Sequence, residues 1–526
     1  MSATDGADAH SEWKPKANRW AIVVVVTLAA FMEILDTTIV NVSLPHIAGS
    51  LSASYDESTW ALTSYLLANG VVLMISGWLS SLLGRKRYFI ICVAMFTVCS
   101  FLCGSATSLA QLVFFRLLQG FFGGGMQPCQ QSIILDTFPP EKRAAAFGVT
   151  AIATIVAPVL GPTLGGYITD TYSWRWVFFI NVPVGVGAIF LISALIQDPP
   201  WLKRSSLADI DYAGLALIML GLGALQVTLD RGQDDDWFAS PFIKLMAALA
   251  VVGIIGAVVW LLRARKPVVD LSVLRDRNFA TSCALIGATG GILYAGAVVI
   301  PQFTQTIIGY DATWSGLVLS PGALMIILMI PVIGRIMPLV QTRALILIGF
   351  LTMGASFFYS TRLTTQMDFS SLVFLRATQT AGLAFLFVPI STIAFAQVPR
   401  ELNGDATALF VMLRNVCGSI GISVASALIL RRSQTHQAYL SQWATPLHEP
   451  FNALVETYRR ALSALGYVGQ AAHDAALGKV YQVYQEQSAT LAYADVFLVA
   501  GLVSFAVAPL CFLLSSRKGG GGAAAH

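Results

Sequence analysis

Apolar stretches of about 20 residues recur along the chain from Trp20 to Leu514, each long enough to cross ~30 Å of hydrocarbon at 1.5 Å per residue. Charged or Pro/Gly-rich breaks separate them. Cutting the chain at those breaks predicts fourteen membrane-spanning helices, beginning near residues 20, 58, 88, 109, 142, 174, 211, 240, 279, 312, 343, 370, 404 and 491. No strand-like alternation competes, so the expected class is an all-α integral membrane protein. The first apolar run follows Lys14, Lys16 and Arg19 and continues through Asp36 and Asn41 to Pro45 without a small-residue cleavage site, so it is expected to be a retained helix and not a signal peptide.

The pattern also repeats. The segment VFFRLLQ at 113–119 is echoed by VFLRATQ at 373–379, each just inside an expected outer boundary, so the two halves look duplicated. The echo pairs the fourth span with the twelfth, so two spans, near 211–229 and 242–262, are expected to be inserted between six-helix halves. The predicted organisation is an N-terminal segment 1–19, a first bundle 20–197, a linker with two spans 198–277, a second bundle 278–516 and a tail 517–526. Residues 432–490 break the rule of short connections, although NALVETYRRALSAL within them has helical spacing. They are expected to form either a docking surface for a partner on the outer side or an ordered insertion.

Composition fits this reading: 56% of residues are hydrophobic and 11% charged, with mean hydropathy +0.71, against roughly 25% charged in soluble domains. The net charge of +4 matters less than its placement. Alternating the loops puts the basic residues at 14–19, 85–87, 142–143, 203–204, 263–266, 275–277, 335, 343, 400 and 517–518 on one side, which the positive-inside rule makes cytoplasmic together with both termini. The opposite short loops carry few basic residues, and one reads DRGQDDDW. All seven cysteines lie in apolar runs, as reduced packing residues would, and the six histidines are scattered without ligand spacing. No nucleophile arrangement, metal cluster or cofactor loop stands out, and no GxxxxGK[ST] sequence is present, so neither an enzyme nor direct use of ATP is expected. Nothing points to nucleic acid.

Against this background the stretch FMEILDTTIVNVSLP is anomalous. A charge at mid-bilayer costs at least ~2.5 to 3.5 kcal/mol on insertion scales, yet Glu33 and Asp36 both fall inside the first span, on one helix face. They are expected to bind and release protons as a coupled pair. Arg116 lies at a depth matching Asp36 to within ~3 Å and carries a permanent charge suited to modulating that carboxylate. Arg376 is its echo in the second half, and Arg414 sits mid-span, which leaves an anionic substrate group open. Other in-span polar residues must find partners or line water, which nominates Asn41, Gln119, Gln127, Gln130, Gln302, Gln379 and Asn415 for a substrate cavity. Phe31, Tyr65, Phe122, Tyr294, Phe303, Phe357 and Phe387 are candidates for its apolar wall, and ordinary packing accounts for them equally well. In APVLGPTLGGY, Gly161, Gly165 and Gly166 permit close helix approach, while Pro158 and Pro162 bend the helix.

These segments together resemble the major facilitator superfamily, specifically the fourteen-helix drug:proton antiporters of the EmrB type. LDTTIVNVSLP (35–45) is similar to the first-helix signature, RLLQGFFGGG (116–125) to the fourth, APVLGPTLGGY (157–167) to the fifth-helix antiporter motif, and WRWVFFINVPVG (174–185) to the opening of the sixth. GWLSSLLGRKR (77–87) resembles the loop that gates the cytoplasmic side, contributing Gly77, Gly84, Arg85 and Lys86, with Ser81 where an Asp is usual. The resemblance implies two six-helix bundles with two extra helices. It further implies proton-driven efflux of hydrophobic compounds across a bacterial inner membrane by alternating access, with no cofactor. A periplasmic adaptor and, through it, an outer-membrane channel are the implied partners besides membrane lipid. Export of one endogenous fatty acid, siderophore or lipid is the alternative within transport, and a non-transporting receptor or scaffold the alternative outside it.

Overall fold

The computed structural model describes residues 15–200 and 211–515. The outermost parts of the expected N-terminal segment and tail, with Lys14, Arg517 and Lys518, lie outside the described residues, as do Lys203 and Arg204 of the linker. Among the described residues every regular element is a helix. The spans are α1 (Arg19–Ser50), α2 (Trp60–Leu83), α3 (Arg85–Gly104), α4 in two pieces (Leu109–Gly123 and Met126–Thr137), α5 (Pro140–Thr171), α6 (Trp176–Leu195), α7 (Tyr212–Arg231), α8 (Pro241–Arg263), α9 (Arg277–Thr306), α10 (Ala312–Ile336), α11 (Thr342–Tyr359), α12 (Phe369–Ala394), α13 (Asn403–Ser441) and α14 (Gln470–Val507). Twelve of these are individually long and apolar enough to cross a membrane, and α5, bent by 44° near Pro158, adds a thirteenth. The two pieces of α4, interrupted only at Gly124 and Gly125, span a comparable length together.

The largest departure from expectation is at the outer end. Residues 432–490 are not a loop: α13 runs 39 residues, about 58 Å, nearly twice a ~30 Å hydrocarbon core, and α14 begins at Gln470 instead of near 491. The added turns are polar and rich in Ala and Gln, so hydropathy alone does not register them although they are good helix formers. Between them the amphipathic helix Glu449–Ala464 packs Val455 against Ala476 and Val480 of α14, with Phe451, Leu454 and Tyr458 around them. On its exposed side Arg459 and Arg460 hydrogen-bond the Glu456 carboxylate and hold it down to about 2.

Glycines set how closely the first-half spans approach. In α4 a Cβ at Gly124 would lie 2.5 Å from the Asn69 carbonyl of α2, so the chain there admits only hydrogen. In α5 a Cβ at Gly161 would lie 2.6 Å from Thr38 Cβ, and one at Gly165 would lie 2.7 Å from the Ile39 carbonyl of α1. Such contacts let α5 lie along α1 at backbone distance, the arrangement small residues support in lipid. Pro158 and Pro162 supply the bend.

At the end of the bundle carrying Arg85 and Lys86, the two halves close on each other. Ser132 of α4 shares a 2.7 Å hydrogen bond with Thr407 of α13, and Arg143 Nη1 of α5 donates to the Phe395 carbonyl at 3.3 Å. A Cβ at Gly77 would lie 2.8 Å from the Gly404 carbonyl carbon. The inserted pair is less peripheral than its apolar composition suggests. Only α8 is mainly a lipid-facing helix, with Val252, Ile255 and Leu262 exposed. Helix α7 lies on both halves: Arg231 Nη1 donates to Thr59 Oγ1 at 2.8 Å, while Ser423 of α13 donates to the Leu229 carbonyl at 2.6 Å. Its few polar residues therefore sit on the face turned to the seam.

Gly165→Val should lower the midpoint of thermal unfolding in detergent by several degrees, because overpacking typically costs ~1 to 3 kcal/mol. Gly187→Val, where an added Cβ has nothing within 4 Å, should leave it unchanged. Equal midpoints for both variants on heat-challenge gel filtration would contradict the close α1–α5 contact.

Candidate functional site

The three in-span arginines are among the most deeply buried large side chains: Arg116 is 0%, Arg414 1% and Arg376 2% exposed. Burying a guanidinium with unmet donors is costly, so the partners each arginine has or lacks define the site.

Arg116 is met by Asp36. Its Nη1 lies 2.5 Å from Asp36 Oδ2 and 2.9 Å from Gln119 Oε1, and its Nε donates to the Ala61 carbonyl at 3.1 Å. Gln119 Nε2 and Asn181 Nδ2 complete the carboxylate by donating to Asp36 Oδ1 at 3.1 and 2.8 Å. Asn181 also donates to Ser100 Oγ at 3.0 Å. Asp36 is itself 0% exposed. Helical spacing puts Arg116 and Gln119, three residues apart, on one face of α4, and the α4 glycines bring that helix close against α2.

Glu33, one turn away on α1, is held by neutral groups. Gln127 Nε2 donates to Oε2 at 2.6 Å, and Asn69 Nδ2 and Tyr65 OH donate to Oε1 at 2.9 and 3.3 Å. Gln127 Oε1 in turn accepts from Arg414 Nη2, which crosses from α13 in the second half. Arg414 also donates from Nε to Asn415 Oδ1 at 3.2 Å. The two acids, expected as one coupled pair, thus sit in separate networks, one ion-paired within the first half and the other wired to the second. Tyr65 joins them, its hydroxyl on Glu33 and its ring 4.1 Å from Arg116 Cζ. The distance suits a cation–π contact.

The remaining nominated residues divide. Gln130 Nε2 donates to Thr27 Oγ1 at 3.0 Å and is buried beside the first bundle's core. Gln379 Nε2 donates to Ser360 Oγ at 3.1 Å near Arg376. Asn41 and Gln302 are exposed on the C-terminal halves of α1 and α9 and join neither network by a hydrogen bond among the described residues. The segment 77–87 is held by partners on α4, α6 and α13. Arg85 is ion-paired with buried Asp136, and Asn403 Nδ2 of α13 reaches Asp136 Oδ1 at 3.4 Å. Lys86 Nζ donates to the Ser193 carbonyl at 2.6 Å, and Gly84, at φ +87°, brings the Lys86 amide to Asp198 Oδ1 at 2.8 Å. Ser81 turns its hydroxyl onto the Trp78 carbonyl at 2.8 Å. The acids at this closure include Asp136, with its side chain buried, and half-buried Asp405, packed on Gly77.

Sequence reading missed Asn69, Asn181 and Ser100. The two amides are isolated polar residues in apolar spans, the same signal that nominated Gln119, and Asn181 lies inside the WRWVFFINVPVG segment. Among the described residues no cluster of His, Cys, Asp and Glu suits a metal ion.

Residues 26–422 match the model of the Major Facilitator Superfamily. The multidrug export protein EmrB of Escherichia coli K12 is 34% identical over 514 residues, 96% of this chain and 97% of that protein. The fatty acid resistance protein FarB of Neisseria gonorrhoeae is 35% identical over 518 residues, 97% of this chain and 99% of that protein. Among solved structures, the human organic anion transporter MFSD10 (TETRAN) covers 93% of this chain and 100% of its own with a TM-score of 0.56 and 14% identity, a likeness of fold. With the helical architecture and the buried charge networks, these similarities show that the chain belongs to the Major Facilitator Superfamily, in its EmrB-type branch.

Proposed function

We propose that this protein is a multidrug exporter that expels hydrophobic compounds in exchange for protons by alternating access. The observation that carries the reading is the chain from Glu33 through Gln127 to Arg414. It puts a buried acid of the first half in register with a buried cation of the second, at the place where the halves must part. While Glu33 is ionised, Gln127 is oriented with its NH2 on the carboxylate and its oxygen on Arg414, so the charge holds the two bundles together. Protonating Glu33 removes the attraction and frees the amide, which weakens the link between bundles. Asp36 works within one half: ionised, it is locked by Arg116, Gln119 and Asn181, and protonated, it releases Arg116 to reorganise around α2 and α4. Each protonation thus alters a helix contact, which is the coupling an antiporter needs. The names of the EmrB relatives support multidrug export, and the basic loops support a cytoplasmic placement of the Arg85 end and both termini in a bacterial inner membrane.

The extended outer hairpin of α13, Glu449–Ala464 and α14 is the surface we assign to a periplasmic adaptor, and through it an outer-membrane channel. Its tip exposes Leu447 (95%), Val468 (82%) and Leu465 (77%), well beyond the length the membrane requires.

In proteoliposomes Asp36→Asn should abolish substrate-induced proton release, and it leaves Arg116 buried without its counter-charge, so a stability loss of ~3 to 5 kcal/mol accompanies it. A variant still releasing protons like the wild type sinks the assignment of Asp36. Glu33→Gln and Arg414→Gln should each cut gradient-driven export at least about tenfold while retaining substrate counterflow, and the double variant should be no worse than either single one. Additive losses would show that the two residues act separately. Replacing Leu447, Leu465 and Val468 by Ser should abolish co-purification of the adaptor without altering transport in vesicles, and undiminished co-purification would remove the hairpin from the interface.

A further inference from the structure

The internal repeat supplies a template for the second half that the second half leaves unfilled. In VFFRLLQ, Arg116 and Gln119 donate together to one carboxylate, Asp36. In VFLRATQ, Arg376 and Gln379 occupy the corresponding positions of α12, equally buried at 2% exposure each, but no carboxylate meets them. Arg376 makes no side-chain hydrogen bond or ion pair among the described residues, and its Nε and Nη2 are buried without partners. Gln379 spends one amide hydrogen on Ser360, and its Oε1 is also unpartnered.

The helix facing Arg376 is α9, which stands to α12 as α1 stands to α4. At the point nearest the guanidinium it presents Gly296, whose added Cβ would lie 3.5 Å from Arg376 Nη1 and 3.9 Å from Phe357 Cζ, ordinary contact distances. Where the first half has Asp36, the second has a missing side chain. The other walls offer no charge: Gly322 of α10 packs its Cβ position 3.1 Å from Arg376 Cγ, and Thr380 turns its hydroxyl onto the Arg376 carbonyl of its own helix. Of the remaining in-span cations, Arg116 has Asp36, and Arg414 reaches Glu33 through Gln127. Of the three arginines buried at mid-span, Arg376 is the one with neither among the described residues.

We propose that Arg376 and Gln379, opposite Gly296, form a subsite for the carboxylate of an anionic hydrophobic substrate, which supplies from outside the acid that Asp36 supplies from within. A buried guanidinium is costly until an anion arrives, so the subsite selects strongly for carboxylates over neutral compounds of the same shape. Phe357 beside Gly296 gives the adjoining apolar wall. The inference rests on the export reading for its biological meaning, but the subsite itself is tested by binding alone.

Binding of phenylbutyrate and of phenylbutanol to the purified full-length protein in nanodiscs, by isothermal calorimetry at fixed pH without a gradient, gives a carboxylate-to-alcohol affinity ratio. The wild type should favour the carboxylate by at least about tenfold. Arg376→Gln should bring the ratio to about one, and so should Gly296→Asp, which places a built-in acid beside the guanidinium, whereas Gly296→Asn, of the same size without the charge, should keep the preference. A wild-type ratio near one, an unchanged ratio in Arg376→Gln, or equal effects of Asp and Asn at 296 would each overturn the subsite. A chloride arm separates sources: if chloride in place of gluconate displaces phenylbutyrate fully at physiological concentration, the position is an inorganic counter-ion site and the substrate assignment fails. Loss of proton-coupled export with the ratio intact would instead refute the transport reading and leave the subsite standing.

Discussion

Everything in the first half is arranged around one fully buried ion pair, Asp36 with Arg116. Taking two charges out of water is expensive, and their attraction repays that cost only when geometry is good and the leftover donors and acceptors are met. The surrounding residues follow from this requirement. Gln119 and Asn181 fill the free lone pairs of Asp36, the Ala61 carbonyl takes Nε of Arg116, and the Tyr65 ring covers the guanidinium face. To bring these groups within hydrogen-bond reach, α4 must approach α2 at backbone distance, which its run of glycines allows, and α5 must lie flat on α1, which Gly161 and Gly165 allow.

The same logic explains why the two acids of α1 behave as different instruments although they share a helix face. Asp36 is compensated by a full positive charge within its own bundle, and its contacts tie α1 to α4 and α6. Glu33 is compensated by amides and a phenol, and its link to a cation passes through Gln127 into the other bundle. At the opposite end of the seam the closure relies on Arg85, Asp136 and Asn403, with α7 bridging both halves along the side. The second half repeats the first in backbone and in its Arg-x-x-Gln pair but not in charge balance, and this asymmetry of a duplicated fold leaves one of its buried cations open to a ligand.

Much of this was legible beforehand because the bilayer is a severe solvent. Span existence, the inserted pair, the duplicated Arg-x-x-Gln and the anomaly of Glu33 and Asp36 all follow from hydropathy and the cost of in-membrane polarity. Of the hairpin only NALVETYRRALSAL was legible as helix, since the polar extensions of α13 and α14 lose the hydropathy that marked the spans. Asn69 and Asn181 carried the same signal as Gln119 but were passed over, and Asn41 and Gln302 carried it without belonging to either network, since a polar residue on an outer half is satisfied by water.

The amino-acid sequence by itself determined the all-helical membrane class, the two related halves and which intramembrane charges had to be accounted for. It did so because each is a local property: twenty apolar residues, a repeated heptapeptide, a carboxylate where hydrocarbon should be. Only the tertiary structure decided which partner each charge received. Pairing is set by how closely helices distant in sequence approach, and at that range a glycine at 296 in place of an acid decides whether a buried arginine is locked or left waiting.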